Sequence, residues 1–139
     1  MKWSAFLVGL LTGSAAACLA ALALPASAQE TPAPAPLAGD ADAGAEIYGT
    51  ECRGCHAVSI APTLRGLIGR PVASVAGFGG YSDALKAKSD QTWSEAAVNT
   101  FLTAPQEFAP GTLMVKAIPD PQQRADIIAY IASLPPPRQ

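Results

Sequence analysis

Five consecutive residues, Cys52-Arg53-Gly54-Cys55-His56, constrain this chain more than any other stretch. Two thiols separated by two residues and followed at once by an imidazole form the attachment pattern of a c-type haem. Each thiol can add to one vinyl group of the porphyrin, and the histidine then lies under the iron as an axial ligand. His56 is the single histidine of the chain, so an imidazole ligand to such an iron would have to be His56.

Other chemistries also use a Cys-x-x-Cys pair. A redox dithiol normally accompanies a βαβ pattern, which this sequence does not show. A structural zinc site needs four Cys or His ligands, whereas Cys52, Cys55 and His56 are the three that the chain offers beyond its N-terminal segment. We therefore predict one covalently bound haem c, and a chance pair, a redox dithiol and half a zinc site remain as weaker alternatives.

The N-terminal residues 1–28 have the pattern of a signal peptide. A positive start at Lys2 precedes the apolar residues 5–24, and Ala26-Ser27-Ala28 suits a signal peptidase. An uncleaved membrane anchor is the alternative, because the apolar run approaches the length of about 20 residues that spans a bilayer. Export predicts a periplasmic protein, since haem is attached to free thiols outside the cytoplasm.

The remainder divides into a Pro/Ala-rich tether at residues 29–38 and one domain at residues 39–139. Loss of Lys2 with the leader leaves 8 basic against 11 acidic residues, a formal charge of −3. No basic stripe indicates a nucleic-acid partner. We expect contact with a membrane only if the N-terminal segment is not cleaved.

Helical signals dominate the domain, and no strand pattern is convincing, so we predict an all-α fold. Asp40 caps a first helix whose apolar face leads into the haem motif, and Gly44 beside that face suggests a close helix contact. Residues 57–80 are irregular and rich in Gly and Pro, as expected of a segment that wraps a cofactor.

The second half of the domain carries the other helix signals. Ser82 begins a short helix, and Thr92 caps a further one in a capping box with Glu95. Asp120 caps the last helix, which has Pro121 at its first position. The apolar face of that last helix comprises Ile127, Ile128, Ile131 and Leu134.

Composition also indicates a second axial ligand. Met114 is the only methionine besides Met1, and it lies on a loop after the turn Pro110-Gly111. A lone methionine is usually core filler, but beside a haem motif we predict that Met114 binds the iron on the face opposite His56.

Several segments together resemble the class I cytochromes c, the mitochondrial protein and its bacterial periplasmic relatives. The similarity spans residues 39–134 and includes Ala61-Pro62-Thr63-Leu64, Gly66-Leu67-Ile68-Gly69-Arg70, Tyr81-Ser82-Asp83-Ala84, Thr92-Trp93, Pro110-Gly111-Thr112-Leu113-Met114 and Arg124-Ala125-Asp126-Ile127-Ile128-Ala129-Tyr130-Ile131. It implies the class I cytochrome c fold, in which the N- and C-terminal helices cross, here at Gly44 and Tyr48.

The resemblance also implies roles for individual residues. The carbonyl of Pro62 would accept a hydrogen bond from the ligating His56. Arg70, Tyr81 and Trp93 would lie near or hydrogen-bond the haem propionates. Thr112 belongs to the ligand loop and is expected to contact the cofactor. The plainer alternatives are a turn proline, a solvated arginine and two core aromatics.

The sequence departs from the family at several positions. Phe101 stands where the family usually has a Tyr bonded to the methionine sulfur, and Leu85 replaces a common Asn. Lysines that ring the haem edge of the mitochondrial protein are replaced by Gln106, Glu107 and Leu113. The haem fold therefore carries over, whereas the surface that suits acidic partners does not.

These observations predict an electron-transfer protein rather than an enzyme: a one-electron carrier between periplasmic or membrane-bound redox proteins. The alternative is a dedicated haem subunit of a periplasmic dehydrogenase or reductase complex. A ligand-binding or peroxidase-type haem protein would need an open axial position, which Met114 disfavours.

Overall fold

The computed structural model describes residues 37–138, and within them the fold is all-α, as predicted. Within these residues, two extended segments meet at one isolated bridge, between Pro71 and Thr92. The predicted signal peptide, and all of the tether before residue 37, lie outside the described residues. The helices are α1 (Ala41–Ile47), a π-helical turn (Tyr48–Cys52), α2 (Arg53–His56), α3 (Asp83–Lys86), α4 (Glu95–Thr103), α5 (Pro105–Phe108) and α6 (Pro121–Ser133).

The first helix begins as predicted and delivers the cysteine motif. The carboxylate of Asp40 accepts hydrogen bonds from the N–H groups of Asp42, at 2.9 Å, and Ala43, at 3.3 Å. After α1 the backbone widens into the π-helical turn, which the sequence pattern does not predict. Such turns shift the register of the side chains and often occur at functional sites; this one ends at Cys52.

The crossing of α1 and α6 is the main helix contact, as predicted. At Gly44 the two backbones approach so closely that an added methyl group would lie 2.9 Å from Tyr130 Cβ and closer still to the carbonyl of Asp126. The rings of Tyr48 and Tyr130 pack beside this point, with centroids 5.1 Å apart. The carboxylate of Asp126 accepts from the N–H of Asp40 at 2.8 Å, which joins the start of α1 to α6.

The predicted cap of α4 is wrong by two residues. Ser94, not Thr92, caps the helix, and its hydroxyl accepts from the N–H of Ala97 at 3.1 Å. Thr92 instead lies in the extended bridge with Pro71, and that pairing fixes the backbone on both sides of Trp93. Glu95 is consequently the first helical residue and does not close a capping box.

Two more features differ from the sequence pattern. The short helix α5 begins at Pro105, and the sequence pattern does not predict it. The last helix buries two charged residues in addition to its apolar face: Asp126 and Arg124, whose guanidinium donates to the carbonyls of Ile118 and Pro119, both at 2.8 Å. The buried apolar core comprises Leu67, Val72, Leu85, Trp93, Val98, Leu102, Ala109, Ile118, Ile127, Ile128 and Ile131.

Among residues 37–138, no helix combines the length and the apolar character needed to cross a membrane.

Candidate cofactor site

One large cavity enters the domain between the cysteine motif, the irregular segment after it, α4 and the loop that carries Met114. It encloses about 1300 Å³ of space free of protein atoms, part of it open to solvent. Its lining is largely apolar, with contributions from the core residues Leu67, Leu85, Val98 and Leu102. The structure brings all nine predicted site residues to this cavity: Cys52, Cys55, His56, Pro62, Arg70, Tyr81, Trp93, Thr112 and Met114.

His56, at the end of α2, is held in a single orientation. Its Nδ1 lies 2.7 Å from the carbonyl oxygen of Pro62. Because a carbonyl only accepts, Nδ1 carries the proton and the lone pair of Nε2 is left for a metal. Burial lowers the pKa of His56, against the opposing effect of the Pro62 hydrogen bond. The imidazole is therefore neutral at pH 7, which is the form that binds iron.

Cys52 and Cys55 reach the same cavity because the π-helical turn passes directly into α2. Cys52 is half-buried and Cys55 is exposed. Burial, aided by the negative charge of Glu51, raises the pKa of Cys52 to about 11. A reactive redox dithiol has a lowered thiol pKa, so this environment disfavours the alternative of a thioredoxin-like pair.

Polar groups line another part of the cavity and are fixed by the backbone around them. The guanidinium of Arg70 donates to the carbonyls of Thr63, at 2.7 Å, and Arg65, at 3.0 Å. The hydroxyl oxygen of Tyr81 accepts from the N–H of Val75 at 3.2 Å, so its own proton can be donated elsewhere. A cation and a hydroxyl donor suit the carboxylates of an anionic ligand.

Met114 reaches the cavity from a loop without regular structure between α5 and α6. The loop turns at Gly111, whose φ of +76° is a conformation that favours glycine. Thr112 is buried, and its N–H donates to the carbonyl of Ala109 at 3.1 Å. The flanking residues Leu113 and Val115 are 72% and 81% exposed.

The combined donor set fits a haem. An apolar cavity suits the porphyrin ring, two thiols suit its vinyl groups, and an imidazole and a thioether are common axial ligands of haem iron. Arg70 and Tyr81 can bind the propionates, which are the anionic part of the same molecule.

Sequence reasoning missed two contacts at the Met114 loop. The side chain of Gln106 hydrogen-bonds the loop backbone, and Lys116 forms an ion pair with Glu51, next to the cysteine motif. Neither has a local sequence signal, because each depends on how two separate segments approach in the folded chain.

Comparison with known proteins also points to cytochromes c. The family model described as cytochrome c matches residues 41–135. A cytochrome c of Guizotia abyssinica is 41% identical over 68% of this chain and 89% of its own length. The cytochrome c2 of Rhodoblastus acidophilus is 37% identical over 68% of this chain and 92% of its own.

A longer relative, the cytochrome c-type cyt cy of Rhodobacter capsulatus, is 37% identical over 73% of this chain, which spans only 53% of that protein.

 The solved structure of cytochrome cH from Methylobacterium extorquens superimposes with a TM-score of 0.59, at 38% identity, and the match covers 68% of this chain and 99% of that one. Family match, identity and fold agree with the Cys-x-x-Cys-His motif at Cys52. The chain therefore belongs to the cytochrome c family, whose members are electron carriers with covalently bound haem c.

Proposed function

We propose that this protein is a periplasmic one-electron carrier whose haem iron is bound axially by His56 and Met114. The observation that carries the proposal is that one cavity collects the two thiols, the single imidazole and the methionine of the domain. When bound, haem supplies an iron centre that alternates between the ferrous and ferric states. With two protein ligands, no axial position is left for a substrate.

The residues of the cysteine motif would anchor and orient the cofactor. Cys52 and Cys55 would hold the ring through thioether bonds, so that it is not lost between electron-transfer events. The bond from Nδ1 of His56 to Pro62 would keep Nε2 directed at the iron and increase the basicity of the imidazole. A methionine as the second ligand favours the ferrous form and raises the reduction potential.

The polar residues of the cavity would bind the propionates. Arg70 is held by two backbone carbonyls, and the Tyr81 hydroxyl has its proton free for donation. We assign the same function to Trp93, whose side chain is buried, and a contact with the cofactor to Thr112.

The partner would be another redox protein of the periplasm or the membrane. Three residues at the opening of the cavity, Ile60, Leu113 and Val115, are 64%, 72% and 81% exposed and define an apolar rim. Electron-transfer contacts are small and transient, and apolar contact at this rim would replace the charge attraction that lysines provide in the mitochondrial protein.

The same apolar rim favours the second candidate, a dedicated haem subunit of a periplasmic dehydrogenase or reductase complex. Permanent interfaces are more apolar than transient ones. Purification of the untagged protein from its native source separates the two hypotheses: a carrier elutes alone, whereas a dedicated subunit elutes with its enzyme.

Export would depend on residues 1–28, which we propose to be a signal peptide cleaved after Ala28. Residues 29–38 would then be a tether before the cytochrome domain at residues 39–139. If the segment is retained, the same domain would be anchored to the membrane. The mass of the mature protein distinguishes the two outcomes.

Met114→Ala tests the axial ligands directly. The oxidised wild-type protein should show the weak charge-transfer band of a methionine–iron bond near the red end of the visible spectrum. We expect Met114→Ala to abolish that band and to allow the reduced protein to bind carbon monoxide, whereas Leu113→Ala on the same loop should keep the band. An unchanged spectrum in Met114→Ala would show that another residue binds the iron.

A further inference from the structure

The side chain of Gln106 holds the segment that carries Met114. Its Nε2 donates to the carbonyl oxygens of Thr112, at 2.6 Å, and Met114, at 3.2 Å. Its Oε1 accepts from the N–H of Gly111 at 3.3 Å. One amide group therefore bonds the turn before the methionine and the methionine itself.

These three contacts require a primary amide. An amide has N–H donors and a carbonyl acceptor on the same group, whereas a lysine ammonium only donates and a carboxylate only accepts. A lysine at position 106 could not accept from Gly111, and a glutamate would direct negative charge at two carbonyl oxygens. The glutamine in place of the lysine of the mitochondrial protein thus changes what this position can do for the loop.

Few other hydrogen bonds hold the loop next to the methionine. One backbone bond, from Thr112 to Ala109, closes the turn. Leu113 and Val115, on either side of Met114, are largely exposed. Gln106 itself is placed by α5, whose backbone is bonded to the carbonyl of Ala104 at the end of α4.

We propose that Gln106 is a positioning residue that keeps Met114 in the cavity and opposes its displacement from the iron. The proposal rests on the assignment of Met114 as an axial ligand. An incoming ligand must move the loop, and the movement breaks the bonds to Gln106. A single hydrogen bond contributes a factor of roughly 2 to 10 to such an equilibrium. Because the side chain is exposed to water, we expect about a tenfold effect for all three together.

The experiment is a titration of the oxidised holoprotein with imidazole, followed at the methionine charge-transfer band. Gln106→Leu removes all three contacts, and Gln106→Glu keeps the size and the acceptor but removes the donors. Glu107→Leu is the matched control, because Glu107 is exposed on the same helix and its carboxylate makes no hydrogen bond among the described residues. Thermal unfolding of each variant is measured in parallel.

We expect the imidazole concentration at half-displacement to fall about tenfold in Gln106→Leu and at least as far in Gln106→Glu, and to stay within about twofold of wild type in Glu107→Leu. A wild-type midpoint in either Gln106 variant, or an equal shift in the control, would overturn the proposal. So would a lower unfolding temperature with an unchanged imidazole midpoint. If the wild-type protein lacks the band, the ligand assignment of Met114 fails as well, which distinguishes that failure from one of Gln106 alone.

Discussion

The segments that bring His56 and Met114 to the cavity are held in different ways. His56 ends a run of helix that starts at the crossing of α1 with α6, and its ring is bonded to Pro62 six residues later. Met114 lies on a loop that is held by a single backbone turn, the amide of Gln106 and the exposed ion pair of Lys116 with Glu51. The first segment, which runs from α1 to His56, is part of the packed helices and is called the frame. The second segment, the loop between α5 and α6, crosses the surface of the domain and is called the strap.

This difference indicates where the site should open first. Segments with few buried contacts and exposed hydrogen bonds open at a lower free energy than packed helices do. We therefore expect substitutions in the frame to affect the stability of the whole protein. Substitutions in the strap should weaken the proposed bond between Met114 and the iron and leave the fold intact.

Removal of the covalent anchors on the frame should have the largest effect. In Cys52→Ala with Cys55→Ala, no thiol of the described domain remains to bind the porphyrin, so haem should be absent or extracted completely into acid acetone. In the wild-type protein the haem should stay on the polypeptide. Cys18→Ala, in the N-terminal segment, is the control and should keep its haem. Extraction of haem from the wild-type protein would rule out thioether attachment.

The frame could largely be predicted from sequence, because its signals are local. The haem motif has fixed spacing, and the caps Asp40 and Asp120 each act on the helix that begins beside them. The close approach at Gly44 could be inferred as well, since glycine on an apolar helix face suggests a neighbouring backbone.

The strap and the cap of α4 show what local signals cannot decide. Both Thr92 and Ser94 can cap a helix, and the choice depends on the pairing of Thr92 with Pro71, which lies 21 residues earlier. The contacts of Gln106 likewise depend on the path of the loop after α5. Sequence identified Met114, but not the side chains that hold it in place.

Substitution at the helix crossing should have the next largest effect. In Gly44→Ala the added methyl group would overlap the backbone of α6, which cannot move without separating the helices. We expect a loss of about 2–4 kcal/mol of unfolding free energy, at or just above the usual cost of overpacking. Gly49→Ala is the control, because nothing lies within 4 Å of its added methyl group. It should be neutral or stabilise by up to about 1 kcal/mol. Denaturant unfolding of the holoproteins measures both, and equal stability of the two variants would contradict the tight crossing.

The smallest expected effect concerns the ion pair of Lys116 with Glu51, which joins the strap to the frame. Lys116 follows Met114 by two residues, and Glu51 precedes Cys52, so the pair links the segments that carry the two proposed axial ligands. The side chains are 57% and 36% exposed, and a pair so accessible to water contributes little.

We expect Lys116→Gln and Glu51→Gln each to destabilise the Met114 bond by about 0.2–1 kcal/mol at low salt, because exposed ion pairs are worth this much. That corresponds to roughly a 1.4- to 5-fold lower imidazole concentration at half-displacement. The double variant should lose no more than either single one, and the effect should shrink as salt screens the pair. Lys86→Gln is the matched control, since its pair with Asp83 at 3.2 Å is at least as exposed but lies within α3 and does not join the strap to the frame. An equal shift in Lys86→Gln, or additive losses in the double variant, would show that the pair does not join strap to frame.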